Sequence, residues 1–352
     1  MAIDNKDKKV LNVPHLRFPE FSGEWENTEL QYIAPNICSG KDKPTSNGTV
    51  ALYGSTGIIG MTRLASYNEE IVLVARVGAN AGQLQITTIP CGVTDNTLII
   101  NAKEWNRYIY YYLQHYNLNR LVFGSGQPLI TGSMLKKLKI IYGEESERNK
   151  IVNLLCLLDE RIATQNKIID KLQSLIKGIA QNITCSNKPN VHISECLECS
   201  SSTLQESDVC ENGAYPVYGA NGVVGYLNYY NTLSEAIYII KDGSGVGTVS
   251  YVTGKCSPTG TLNILQVKDG YSLRYLYYLL KVFNFEPYKT GMAIPHIYFK
   301  DYGKAKIFCP QYSEQLKYAT LLFTIDDKLS TEQEILKSLN LEKQYLLRQM
   351  FI

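Results

Sequence analysis

The sequence contains no apolar run approaching the ~20 residues a helix needs to span a bilayer, so no membrane association is expected. Its opening, MAIDNKDKKV, is polar and has no apolar segment behind it. No secretory leader is therefore expected, and the expected location is cytoplasmic. Charge is also sparse. Asp, Glu, Lys and Arg make up 19% of the chain and the formal net charge is +2, against about 25% charged residues in an ordinary domain. No overwhelmingly basic surface is available, so any nucleic-acid binding would share phosphate neutralisation with partner chains.

Several catalytic signatures are missing as well. No Pro-Pro occurs anywhere, which excludes the Asn/Asp-Pro-Pro-aromatic strip of a DNA amino-methyltransferase. GxxxxGK[ST], GxSxG and HExxH are absent. The four histidines, His15, His115, His192 and His296, include no pair at ligand spacing. The nine cysteines are expected to be reduced thiols. Cys196 and Cys199 form one CxxC, but Cys185 and Cys210 beside it do not form a second, so no metal site is expected. No catalytic residue is assigned.

What the chain does contain is a duplication. YGSTGIIG at 53–60 returns as YGANGVVG at 218–225, an offset of 165. At the same offset Arg76 falls on Lys241, Gly78 on Gly243 and Gly82 on Gly247. Further on the offset becomes 167: RYIYYYL (107–113) meets RYLYYLL (274–280), Pro128 meets Pro295, and Asp159 meets Asp326. One small insertion across so long a match marks an internal repeat, with a period far above the 20–50 residues of a solenoid unit.

Each repeat ends in a long amphipathic stretch. Ile151, Leu155, Leu158, Ile162, Gln165, Ile169, Leu172, Ile176 and Ile179 are spaced alternately four and three apart. Tyr318, Leu322, Ile325, Leu329, Glu332, Leu336, Leu339, Lys343 and Leu346 repeat that spacing. A period of 3.5 without proline predicts coiled-coil helices of roughly 35 residues, with Ser146 and Ser313 as their start signals. Two amphipathic helices packed on their own domains would be the plainer alternative. If the halves are related by a two-fold axis, the helices run antiparallel. Gln165 then faces Glu332, Ile151 faces Leu346 and Leu172 faces Ile325.

The expected fold class is α+β: two homologous mixed α/β domains joined by two long antiparallel helices. The expected segments are domain 1–145, helix 146–183, domain 184–312 and helix 313–352. Short β-rich runs such as EIVLVAR (70–76) and EAIYIIK (235–241) are bounded by turn residues, and each domain carries one helix, near 104–118 and 271–283. GANAG (78–82) and GSGVG (243–247) follow strands, but more β-type sequence comes after them, so hairpin turns fit better than a nucleotide loop. The turns also carry Tyr53, Ser55, Thr56, Asn80, Tyr218, Asn221 and Ser244, with Arg76 and Lys241 alongside. Such side chains suit base edges and phosphates, although hydroxyls and amides are also ordinary turn formers.

Together these features resemble the specificity subunits of type I restriction–modification systems. LRFPEFSGEWENTEL (16–30), the repeated YGSTGIIG/YGANGVVG, and the glycine–proline loops at 124–130 and 291–297 carry the resemblance. So do IYGEESERNKIVNLLCLLD (141–159) and FCPQYSEQLKYATLLFTID (308–326). Two departures stand out: the second repeat lacks the Arg-Phe-Pro…Trp opening, and Gly143 stands where a proline is expected.

The resemblance implies two target recognition domains, each reading one half of a split, asymmetric double-stranded DNA target. The helices act as a ruler between the half-sites. Two methyltransferase subunits and the restriction/translocase subunits are the implied partners. S-adenosylmethionine and ATP belong to those partners, and no cofactor is expected on this chain. Gln127 and His296, from the two glycine–proline loops, join the DNA-contact candidates. Other classes fit less of the pattern: an autonomous nuclease or methyltransferase with an unrecognised site, or an adhesive protein with duplicated β domains.

Overall fold

The computed structural model describes residues 12–123 and 128–352. These form two compact units, one comprising the chain up to Thr164 together with Leu336–Ile352, the other comprising Gln165–Ile335.

The first unit is built on two sheets. Strands Val72–Ala75 and Thr97–Ile100 are buried throughout. They form the centre of an antiparallel sheet in the order Cys38–Ser39, Thr97–Ile100, Val72–Ala75, Leu84–Ile86. Continuous β-branched runs of this kind belong in sheet centres, because both faces are covered. The second sheet pairs Gly57–Thr62 with Val50–Gly54, and Val50–Gly54 in parallel with Cys91–Val93. Helix Asn106–Tyr116 packs on the first sheet, burying Tyr108, Ile109, Tyr111, Tyr112 and Leu113. A two-stranded ribbon, Glu26–Glu29 with Lys139–Tyr142, closes the unit.

The second unit repeats this plan strand for strand. Its four-stranded sheet runs Leu197–Ser201, Leu262–Val267, Glu235–Ile240, Val249–Thr253. Its three-stranded sheet runs Gly222–Leu227, Tyr215–Gly219, Ser257–Pro258, again with one parallel pair. Helix Leu273–Val282 and the ribbon Val191–His192 with Lys306–Ile307 complete it. Even the irregularity is duplicated: the first hairpin shifts register between Leu52 and Tyr53, and its counterpart between Val217 and Tyr218.

The two long helices span Glu145–Cys185 and Tyr312–Gln349, 41 and 38 residues. All the seam positions named from the heptad pattern are buried or half-buried. Within the second unit the helix segments run antiparallel, since Gln165 meets Glu332 while Ile179 and Tyr318 line one groove. Within the first unit Asp159 pairs with Lys343 at 2.6 Å, and Ile151 shares a core cluster with Leu346, Leu347 and Phe351.

The helix starts differ from expectation. Ser146 and Ser313 stand inside the first turn, one residue past the first helical position. Buried side chains tie these ends down instead. Glu147 accepts from Arg17 Nε and Nη2 at 2.7 and 2.8 Å and from Trp25 Nε1 at 3.0 Å. Gln315 accepts from the Ser272 amide and donates to the Pro310 carbonyl, both at 2.9 Å. The departure at Gly143 follows from the first of these networks, because a Cβ there would lie 2.2 Å from Glu147 Oε2.

Candidate nucleic-acid interface

The glycine phrases form hairpin turns. Gly57 and Gly222 hold φ of +116° and +108°, a region that side chains with a Cβ rarely adopt. The turns after strands Val72–Ala75 and Glu235–Ile240 are closed in the same way in each unit. Gly82 N donates to Ala75 O and Gly247 N to Ile240 O, both at 2.9 Å. No nucleotide loop is present at either phrase.

Tyr53 is not a surface residue. The register shift after Leu52 turns its ring into a cluster with Ile71, Leu73, Val93 and Ile99. Its hydroxyl accepts from the Thr88 amide at 3.0 Å and bonds the Thr88 hydroxyl at the same distance. Tyr53 is 6% exposed and packs as a core residue of this unit. Tyr218 is half-buried, stacked edge-on against Tyr238 with ring centroids 6.0 Å apart, and burial raises the pKa of its hydroxyl. Ser55 is half-buried, while Thr56, Asn80, Asn221 and Ser244 are exposed at their turns. Gln127 lies outside the described residues.

Arg76 and Lys241 occupy matching positions with matching backbone bonds. The Arg76 amide donates to Asn96 O at 3.0 Å, and its carbonyl accepts from Ile130 N at 2.9 Å. The Lys241 amide donates to Thr261 O and its carbonyl accepts from Ile297 N, both at 2.9 Å. Next along, Gly78 N donates to Pro128 O and Gly243 N to Pro295 O, at 2.9 and 3.0 Å. Each glycine–proline loop is thus fastened beside the cation and its glycine turn. The structure brings Lys241, Ser244 and His296 together in the second unit, and Arg76 and Asn80 together in the first. Arg76 Nη1 also donates to Ser39 Oγ at 3.3 Å.

Sequence reasoning missed Asp242, which joins His296 in this group. His296 Nδ1 lies 2.6 Å from Asp242 Oδ1, with both side chains about a third exposed. The matching residues of the first unit are Leu129 and Val77, bridged by backbone alone. The one available signal was that these two positions changed character together between the repeats. It also missed how the units hold the long helices. Tyr111 Oη donates to Asp159 Oδ2 at 2.9 Å, and Tyr278 Oη to Asp326 Oδ2 at 3.2 Å, the same pair in both copies.

The cysteine readings can also be placed. Among the described residues no group of three or more His, Cys, Asp or Glu side chains is arranged to hold a metal ion. Cys196 and Cys309 approach to 3.9 Å between sulfurs, and burial pushes the Cys199 thiol up to about 11. No helix of the described chain is long and apolar enough to cross a membrane.

The family model of the type I restriction modification DNA specificity domain matches residues 9–174 and 190–341. A Mycoplasma genitalium protein named as a type I specificity subunit is 25% identical over 305 residues, spanning 78% of this chain and 79% of the relative. The specificity subunit of the Escherichia coli EcoprrI enzyme is 24% identical over 125 residues, 36% of this chain and 31% of its own. Among solved structures, the M. genitalium type I S subunit superposes with a TM-score of 0.73 at 19% identity, covering 97% of this chain and 99% of that one. A chain from a structure of type I system assembly and conformational transition gives 0.52 at 15% identity, covering 96% and 99%.

Proposed function

Because the chain belongs to the type I restriction modification DNA specificity family, we propose that it reads a split, asymmetric double-stranded DNA target with one unit per half-site. It supplies recognition and no catalysis of its own. Two methyltransferase subunits and the restriction/translocase subunits are its partners, and those subunits bring S-adenosylmethionine and ATP. The target base, stacked in the duplex, must leave the stack to be methylated, and that step belongs to the methyltransferase.

One observation carries this reading. Two units share the same strand order, the same bulge and the same loop-fastening bonds, yet differ in the sequence of those loops. A common scaffold with divergent tips is what two readers of two different half-sites require. The shared Tyr–Asp bonds anchor each reader to a long helix, so the helix face is the constant part and suits a partner present in two copies.

Co-expression with a type I methyltransferase subunit from the same genome, followed by genome-wide mapping of methylated bases, tests the proposal. A two-part motif with unlike halves and a fixed gap is expected. Methylation of a continuous motif, or none that depends on this chain, would overturn it. Methyl transfer by this chain alone would establish an autonomous enzyme instead.

A further inference from the structure

The loop between Thr290 and His296 is closed like a clasp. Thr290 N donates to His296 O at 2.9 Å and His296 N to Thr290 O at 2.7 Å. Its base is fastened twice more, by Gly243 N to Pro295 O and by Ile297 N to Lys241 O. Gly291 makes the turn possible, with φ of +89°. The clasp holds three successive apolar residues, Met292, Ala293 and Ile294, out in solvent. Met292 is 107% exposed and Ile294 57%. A flexible chain can fold an apolar tip back onto its own surface, but a loop pinned by four backbone bonds cannot. Exposed apolar groups held in place mark a binding surface.

Its neighbours say what kind. Lys241 and Ser244 stand at the loop's base, together with the Asp242–His296 pair. In sequence the matching positions of the first repeat are Ser125, Gly126 and Gln127. The fastening backbone bonds are kept, with Phe123 and Leu129 exchanging them as Thr290 and His296 do, and the tip sequence is replaced, as expected of a loop that differs between half-sites. An apolar side chain contacts DNA either at a thymine methyl or by entering between base pairs. Three consecutive apolar residues on a convex tip present far more surface than one methyl group covers. Insertion buries that surface and leaves Lys241 beside the backbone.

We propose that Met292, braced by Ile294, is a wedge that enters the base stack of the second half-site, making this loop a specificity determinant with no apolar counterpart in the sequence of the first repeat. This rests on the specificity-subunit reading above. Opening a step requires unstacking, which is easiest at pyrimidine–purine steps. The wedge therefore favours half-sites containing such a step, although no hydrogen bond reads it.

The test uses the full chain with its methyltransferase partner and the duplex target found by methylation mapping. 2-Aminopurine is placed at successive positions through the second half-site. Binding of the wild-type complex is expected to raise fluorescence at one step. Met292→Ala should abolish that rise and weaken binding to this target about tenfold, whereas Met292→Leu should retain both. Eversion of the base to be methylated gives its own signal, which should persist in every variant and reports an intact complex. If Met292→Ala keeps both affinity and the unstacking signal, the wedge is wrong. If replacing one thymine by uracil weakens binding as much as Met292→Ala, with no unstacking beyond that of the everted base, the contact is to a methyl group and insertion is refuted. If methylation mapping shows no two-part motif, the specificity-subunit reading itself has failed, independently of Met292.

Discussion

Gln165 donates its side-chain amide to both the carbonyl and the carboxylate of Glu332, at 2.9 and 2.5 Å. The two residues hold the same place in the two heptad seams, and Gln165 is 7% exposed. A polar residue in an apolar seam lowers stability but fixes register, because any slipped alignment leaves it unpaired. Replacing both by leucine is therefore expected to raise the thermal midpoint by several degrees. Gln165→Leu alone should lower it, since the half-buried carboxylate loses its donor. Calorimetry on the three chains decides this, and a double variant less stable than wild type would show that the pair is a net stabiliser.

A second prediction concerns Gly143. A Cβ there would lie 2.2 Å from Glu147 Oε2 and 2.8 Å from Trp25 Nε1. Glu147 is fully buried and held by Arg17 and Trp25, so it cannot swing aside without leaving those donors unpaired. Gly143→Ala is expected to destabilise by about 1–3 kcal/mol. In a Glu147→Ala background the same change should cost less, because the nearest crowding atoms are gone and Trp25, no longer held by the carboxylate, can shift. Equal losses in both backgrounds, measured by urea denaturation, would rule out the crowding.

The repeat, the long helices and the turn glycines were legible in the sequence because each leaves a local signature. A 3.5-residue period, a constant offset and a positive-φ glycine all lie within short windows. What the sequence could not show depends on register or on distant partners. Tyr53 looked like a turn residue free to meet a base, but a one-residue bulge faces it inward. Arg17 and Glu147 are far apart in sequence, and nothing near either one announces the pair. The Asp242–His296 contact joins a strand end to a loop, and its only trace was a paired change between repeats. The apolar tip at Met292 was hidden inside a phrase that reads as an ordinary glycine–proline loop.

The buried tyrosines predict how the protein fails in alkali. Burial raises the pKa of Tyr108, Tyr275, Tyr278 and Tyr302, and pushes Tyr112 up to about 12. A raised folded-state pKa means that the folded chain holds its proton where the unfolded chain, titrating near 10, has released it. Stability is then complete below about pH 10 and is lost as pH climbs toward 12. Tyr112→Phe removes the bond to the Lys139 carbonyl at 3.1 Å, so near pH 8 it should be less stable by about 1 kcal/mol. Between pH 10 and 12 the wild type alone loses this group's share, up to about 1.4 kcal/mol per pH unit. The two stability curves should therefore converge or cross. Curves that stay parallel to pH 12 would show that Tyr112 ionises in the folded state without penalty.

The last prediction concerns the paired cations. Arg76 and Lys241 have their amides and carbonyls committed to matching backbone partners. Each side chain leaves a strand end beside a glycine turn, so truncating it should leave the fold intact. Their charge was kept while the surrounding tips diverged, which fits a partner common to both half-sites, the phosphate backbone, better than a particular base. Arg76→Ala and Lys241→Ala are each expected to weaken binding across all sequences and to lower the salt slope by about one unit. The methylated motif itself should not change. A contact to a base edge would behave differently: one half-site would relax, with about 1–3 kcal/mol of discrimination lost at a single position. Arg76 is the better placed of the two for that outcome, since a guanidinium can grip guanine with two bonds where an ammonium acts as a point charge. Salt titrations of the two variants on matched and mismatched duplexes separate these cases. Unchanged affinity in both would remove the pair from the interface and leave them as surface charges at strand ends.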